Sequence, residues 1–220
     1  MYRLKIDVFL FIMTRFLVFF IILLTSLTLR AQTASELTSE IEKTYLSGEA
    51  VKAMFDLAGE KKITLVASLI STKYLYETSG EKVVNDGTTV SNFNKKLKQV
   101  TINEVKTNKQ NGSIGTQDFF HFSSNYTSSL LSSKKNSYSL ELTPKESLRK
   151  LFEQAGIASL VVDLTRNSKK KTITIKSILA NSKGIKQKAG NVRITSIAKT
   201  PTDLFTFSMP KGVKVVDLRD

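Results

Sequence analysis

Lys82-Val83-Val84-Asn85-Asp86-Gly87-Thr88 is the stretch that decides the fold, because it joins two runs of strand-forming residues through an Asp-Gly pair. The first run is preceded by Tyr74-Leu75-Tyr76, and the second continues to Phe93. Glycine readily adopts the positive φ angle that a tight turn requires, so Asp-Gly between β-rich runs predicts an antiparallel hairpin.

Further strands are predicted on both sides of this hairpin. Alternation of apolar and polar residues with period two is typical of half-buried strands. Seven more segments contain β-rich or alternating residues: 63–70, 100–103, 138–142, 160–164, 173–179, 192–198 and 203–207. Together these segments predict an α+β protein with one curved antiparallel sheet.

Three segments show helical spacing. Residues 35–46 place Leu37, Ile41 and Tyr45 on one face, with Ser35 as N-cap and Gly48 as a stop. In residues 118–131, the spacing of Phe119, Phe122, Tyr126 and Leu130 also fits one helical face. That second helix is either an ordinary core helix or a mobile apolar lid over a cavity.

A third helix is predicted over residues 143–156. Thr143 is the expected N-cap, Pro144 the first helical residue, and Glu146 completes a capping box. Gly156 ends the pattern, because glycine commonly follows the last turn of a helix.

The N-terminus resembles a secretory signal. Arg15 precedes an apolar run over residues 16–24, and Arg30-Ala31-Gln32 provides a small residue before a polar one. We expect residues 1–31 to be a cleaved signal peptide and residues 32–220 to be a single domain. The apolar residues 8–13 leave a retained anchor as an alternative, and Met13 is an alternative start.

Composition narrows the classes of function. The chain has 33 Lys and Arg against 19 Asp and Glu, and removing residues 1–31 still leaves a net charge of +11. The lysine pairs fall where turns are predicted, which favours interpreting them as solvated loop residues. The alternative is that they form a positive surface that docks on an anionic membrane or an acidic partner. Export argues against nucleic acid as a partner.

No cysteine is present, which excludes disulfides, thiolate metal sites and an acylated N-terminal cysteine.

Catalysis is not indicated. His121 is the single histidine and lies among phenylalanines, and the acidic residues form no D-x-D cluster. Gly112 and Gly115 lack the Lys-Ser/Thr of a phosphate-binding loop. We therefore expect no enzyme, no metal and no cofactor. The large apolar residues either close the core themselves or line a cavity for acyl chains.

Residues 32–220 resemble the LolA family of periplasmic carriers, which escort lipoproteins to the outer membrane. The resemblance is carried by three blocks in order. The first is Tyr74-Leu75-Tyr76 with residues 83–88, 93–94 and 98–100, the second is residues 140–145, and the third is residues 205–213 with 216–219. It implies an unclosed β-barrel with two to three helices as a lid. It also implies periplasmic localisation, a monomer, acylated lipoproteins as cargo, an inner-membrane lipoprotein-releasing ABC transporter and an outer-membrane acceptor.

The resemblance also selects candidate site residues. The family couples lid opening to cargo through an arginine, and Lys73 is the candidate substitute here, without the bidentate fork of arginine. Candidates for the acyl-chain cavity and lid are Leu65, Leu69, Tyr74, Tyr76, Phe93, Phe119, Phe122, Tyr126, Leu130 and Leu140. The alternative is a module of the same fold that binds lipid or senses envelope stress without shuttling lipoproteins.

Overall fold

The structure is a computed structural model that describes residues 33–105, 116–167, 169, 172–182 and 184–219. The predicted signal peptide and its cleavage site lie outside the described residues. The strands are β1 (Ala50–Leu57), β2 (Glu60–Ser68), β3 (Tyr74–Glu77), β4 (Glu81–Asn85), β5 (Thr89–Asn94), β6 (Gln99–Glu104), β7 (Tyr126–Lys134), β8 (Ser137–Pro144), β9 (Ser159–Asn167), β10 (Thr172–Ser182), β11 (Ile185–Ile197) and β12 (Lys214–Asp217). The helices are α1 (residues 33–45), α2 (Phe122–Asn125) and α3 (Glu146–Gln154), with a 3₁₀ turn over Thr116–Phe119.

The described strands form one open sheet. Their order is β12-β6-β5-β4-β3-β2-β1-β11-β10-β9-β8-β7, so β12 and β7 are the two edges. Neighbouring described strands pair antiparallel except β12 and β6, which are parallel. The prediction of an α+β fold with a large unclosed, mainly antiparallel sheet is confirmed.

The Asp86-Gly87 turn forms where it was predicted, between β4 and β5. Gly87 has φ +97°, a left-handed conformation that favours glycine. The backbone N–H of Asp86 donates to the carbonyl of Thr89 (3.1 Å) and closes the turn.

Helices α1 and α3 cover one face of the sheet, which we call the inner face. Leu37, Ile41 and Phe152 are fully buried there against apolar residues of β8, β9 and β10. The apolar face predicted for α1 is therefore confirmed, although Ser35 lies inside the helix rather than at its N-cap. After α1 the chain passes close to β11, because a Cβ on Gly48 would lie 2.2 Å from the carbonyl oxygen of Ile197.

The opposite, outer face carries a smaller apolar cluster. Phe205 is buried against Ala50 and Val66, with Leu204 packed beside it. The strand predicted over residues 203–207 is wrong: this segment forms turns, with the N–H of Leu204 donating to the carbonyl of Pro201 at 3.1 Å. Phe205 is buried, whereas Leu204 and Phe207 of the same segment are half-buried.

The long helix predicted over residues 118–131 is also wrong. This segment forms the 3₁₀ turn and the single-turn helix α2, and then continues as strand β7. Burial along β7 alternates, with Tyr126, Ser128 and Leu130 inward and Thr127, Ser129 and Leu131 outward. Tyr126 and Leu130 are four residues apart, which fits two strand periods as well as one helical turn.

Helix α3 begins two residues later than predicted. Thr143 and Pro144 pair with Thr127 and Tyr126 and so belong to β8. Lys145 occupies the N-cap without a side-chain capping hydrogen bond. The predicted end is confirmed, because Gly156 follows the helix with φ +80°.

Candidate functional site

An apolar strip lies on the inner face of β2 to β5, beyond the part of the sheet that the helices cover. The cross-strand pairs show which face the strip occupies. Ala53 of β1 lies opposite Ile194 of β11, which packs on the helical core. On its other side Ala53 lies opposite Leu65 of β2, and Leu65 in turn lies opposite Tyr76 of β3. Across β4 and β5 the same face brings Val83 opposite Asn92 and Val90 opposite Asn85, so two asparagines lie among the apolar residues. We call this set the inner strip; its residues are Leu65, Tyr74, Tyr76, Val83 and Val90, all of them half-buried.

The inner strip begins where the cover provided by the helices ends. The described helices pack on β7 to β11, and the 3₁₀ turn lies against β2. Ile63 and Ala67, on the same face of β2, are buried, whereas Leu65 between them remains half-buried. The strip therefore extends the apolar core, and the described side chains leave its residues partly exposed.

The two tyrosines keep the inner strip uncharged. Burial raises the pKa of the Tyr74 hydroxyl, and burial together with the charges of Glu81 and Glu60 raises that of Tyr76. Beside Tyr74 lies Asn85, whose side chain donates to the carbonyl of Thr72 (3.2 Å) and accepts from the N–H of Gly87 (2.8 Å). The apolar residues of the strip suit hydrocarbon, and Asn85, Asn92 and the half-buried Glu81 place polar groups on the same face.

Most of the predicted lid residues instead fill the core. The Phe119 and Phe152 rings lie 5.4 Å apart, those of Tyr126 and Phe152 5.0 Å, and those of Phe122 and Tyr126 6.1 Å. Leu140 is fully buried, and Leu130 lies opposite it on β7. In this arrangement the aromatic cluster closes the covered half of the sheet.

Tyr126 brings a polar atom into that aromatic cluster. Its hydroxyl is buried and has no hydrogen-bond partner in the described part of the chain. Burial and the charge of Asp118 raise the pKa of this hydroxyl, so it stays a neutral donor. Sequence reasoning gave Tyr126 an apolar role only, and spacing offers no sign that its hydroxyl would lack a partner.

Three predicted residues lie away from the inner strip. Phe93 pairs with Val100 and Lys82 on the outer face, so it cannot line the same surface as Leu65. Leu69 follows β2, and its N–H donates to the carbonyl of Glu49 (2.8 Å). Lys73 lines a groove of about 380 Å³ together with Pro201 and Phe205, and the structure does not bring it to the aromatic cluster.

Hydrogen bonds hold α1 over the core, and sequence reasoning did not identify them. Glu42 accepts a hydrogen bond from the N–H of Ser123 (2.7 Å), which ties α1 to α2. Glu40 forms an ion pair with Arg166, and the Tyr45 hydroxyl donates to the carbonyl of Ile173 (2.7 Å). These partners are more than 80 residues apart in sequence, so no local pattern could have revealed them.

Among the described residues, no group of three or more His, Cys, Asp or Glu side chains could hold a metal ion. In the same part of the chain, no helix has the length and apolar character needed to cross a membrane.

Comparisons with known proteins provide little information about function. No family model matches the chain, and no curated protein matches it. A solved structure described as an uncharacterized conserved protein from Thermus thermophilus is similar, with 12% identity and a TM-score of 0.47. The similarity covers 84% of this chain and 99% of that one.

Proposed function

We propose that this chain is a periplasmic carrier that binds the acyl chains of lipoproteins, as its resemblance to the LolA family implies. The proposal includes cargo release from an inner-membrane ABC transporter and delivery to an outer-membrane acceptor. It also treats the open sheet as an unclosed barrel of the LolA type.

The inner strip is the observation that carries this proposal. The described helices cover about half of the inner face of the open sheet, and in that part of the chain apolar surface remains that a hydrocarbon chain could bury. Each methylene transferred from water to such a surface contributes about 0.8 kcal/mol, so a single acyl chain offers substantial binding energy. The absence of charge on the five strip residues favours hydrocarbon over a polar ligand.

Native mass spectrometry tests this proposal. The full chain is expressed in a Gram-negative host and isolated without detergent, and Leu65→Gln/Tyr76→Gln makes one cross-strand pair of the strip polar. Thr64→Gln/Glu77→Gln is the matched control, because it alters the adjacent pair of the same two strands on the outer face. We expect acylated lipoprotein on the wild type and the control, and an occupied fraction reduced about tenfold or more for the strip variant.

Three results would count against the carrier function. A wild-type chain isolated without any lipid would contradict it. Equal loss of cargo from both double variants would show that the strip is not the binding surface. Free phospholipid or fatty acid without lipoprotein would favour the lipid-binding module instead.

A further inference from the structure

Two hairpins end side by side at one end of the sheet. Leu57, at the end of β1, pairs with Ala189 of β11, and Asp56 pairs with Gly190. The β1–β2 turn and β11 share a groove lined by residues 56–61, Lys188 and Gly190. We call the exposed basic and apolar residues here the tip surface; they are Lys61, Lys62, Ile185, Lys186, Lys188 and Arg193.

The tip surface is strongly positive. It carries five exposed basic side chains, and none of them takes part in an ion pair with another described residue. The two carboxylates beside it are engaged locally: Asp56 accepts from Asn191 Nδ2 (2.7 Å) and the N–H of Lys62 (2.9 Å), and Glu60 accepts from Ser79. These hydrogen bonds lower the pKa of both carboxyls, so five positive and two negative charges leave a net charge of +3 near neutral pH.

The tip surface also presents an apolar side chain on protruding backbone. Residues 185–188 extend β11 four residues beyond its last pair with β1, and they pair only with β10. Ile185 is 63% exposed on this extension and is followed by Lys186. A further groove of about 420 Å³, lined by Met54, Phe55, Lys62 and Arg193 among others, lies at the base of the two hairpins.

We propose that the tip surface docks this protein on bilayers that contain anionic phospholipid. The lysines and Arg193 contact lipid phosphates, and Ile185 enters the interface between headgroups and acyl chains. A bilayer is favoured over an acidic protein, because an exposed isoleucine next to Lys186 on a protruding hairpin matches an interface that is both anionic and apolar. This docking goes beyond the proposed carrier function and does not depend on any cargo.

Vesicle co-sedimentation tests the docking. The protein used is residues 32–220, the predicted mature chain, which carries every described strand and helix, so the predicted signal segment cannot contribute to membrane binding. Vesicles of phosphatidylcholine with about 30 mol% phosphatidylglycerol are compared with pure phosphatidylcholine. Lys186→Gln/Lys188→Gln removes two charges from the tip surface, and Lys134→Gln/Lys169→Gln removes two exposed charges at the opposite end of the sheet.

We expect the wild type to bind the anionic vesicles and not the neutral ones. The tip variant should bind about 25-fold more weakly, because each basic residue near an anionic surface contributes about fivefold. The control pair should bind nearly as well as the wild type. Absence of binding to anionic vesicles, or equal weakening by both pairs, would overturn the proposal.

Ile185→Ser separates bilayer docking from general attraction to anions. Serine removes the apolar contact and leaves the charges unchanged, so vesicle binding should weaken while retention on the soluble polyanion heparin stays the same. Wild-type vesicle binding by this variant would overturn insertion of Ile185. Circular dichroism of each variant checks that the fold is retained, so that weaker binding cannot reflect unfolding.

Discussion

At the scale of single residues, Asp86 shows how one carboxylate stabilises the turn that the sequence predicts. Its oxygens accept hydrogen bonds from the backbone N–H and the hydroxyl of both Thr88 and Thr89, at 2.7–2.9 Å. Burial opposes ionisation of Asp86, but these hydrogen bonds outweigh it and lower the pKa to about 2. The charged form is therefore the one that stabilises the β4–β5 hairpin.

Asp86→Asn should lower the free energy of unfolding by about 1 kcal/mol at pH 7, a figure reduced for solvent screening. The pKa in the folded protein lies below its ordinary value of 3.8. The contribution is therefore present above about pH 4 and is lost as the pH falls through 2. Urea unfolding between pH 7 and pH 2 should show wild type and variant converging.

Asp203→Asn is the matched control, because Asp203 is exposed in a turn on the outer face. Its unfolding curve should follow the wild type throughout. If Asp86→Asn showed the same difference from wild type at pH 2 as at pH 7, the charge on Asp86 would not be what stabilises the turn.

Some residue positions could not have been assigned from the sequence. Val83 and Val84 are adjacent in β4, yet Val83 belongs to the inner strip and Val84 is buried on the outer face. Alternation predicts that the two point in opposite directions, but it does not say which direction is inward. That choice depends on Leu65 and Tyr76 of the neighbouring strands, and hence on long-range register.

At the scale of elements, α1 and the hairpin were predictable, because each rests on a local pattern that only one structure fits. Residues 118–131 were not, since their apolar spacing is compatible with a helix and with a strand. The outcome is decided by β8: residues 126–130 and 132–134 pair with it, and their serines can lie on an exposed edge. Serine also has a low helix propensity, so tertiary pairing prevails over spacing.

Hydrogen exchange measured by NMR should show period-two protection along β7. In an antiparallel edge strand, alternate N–H groups bond to the neighbouring strand and the others face solvent. Among residues 127–133 we therefore expect slowly and rapidly exchanging amides to alternate, with an interruption at the irregularity between Leu130 and Ser132. Uninterrupted protection through these residues would contradict the strand and support a helix.

At the scale of the whole molecule, the class of sheet was predictable and the order of its strands was not. Short turns such as Asp86-Gly87 link strands that are neighbours in sequence. No local signal predicts that β1 pairs with β11, about 140 residues later, or that β12 lies parallel to β6. The inner strip depends on those distant pairings, because they place the helical core on one half of the inner face, while the described residues leave the other half only partly covered.

The parallel pairing of β12 with β6 leads to the last prediction. Removing residues 214–220 would expose the edge of β6. At either end of β12, the N–H of Lys214 donates to the carbonyl of Lys98, just before β6, and the N–H of Leu218 donates to the carbonyl of Ile102 (both 2.9 Å). Unpaired edges favour association between chains. We expect the free energy of unfolding to fall by at least about 1 kcal/mol, which corresponds to about 2–4 °C in the unfolding midpoint, and we expect concentration-dependent oligomers in light scattering.

The full-length variant Val215→Thr/Val216→Thr keeps the backbone pairing and should remain as monodisperse as the wild type. A truncated chain with unchanged midpoint and size would mean that β12 does not protect this edge.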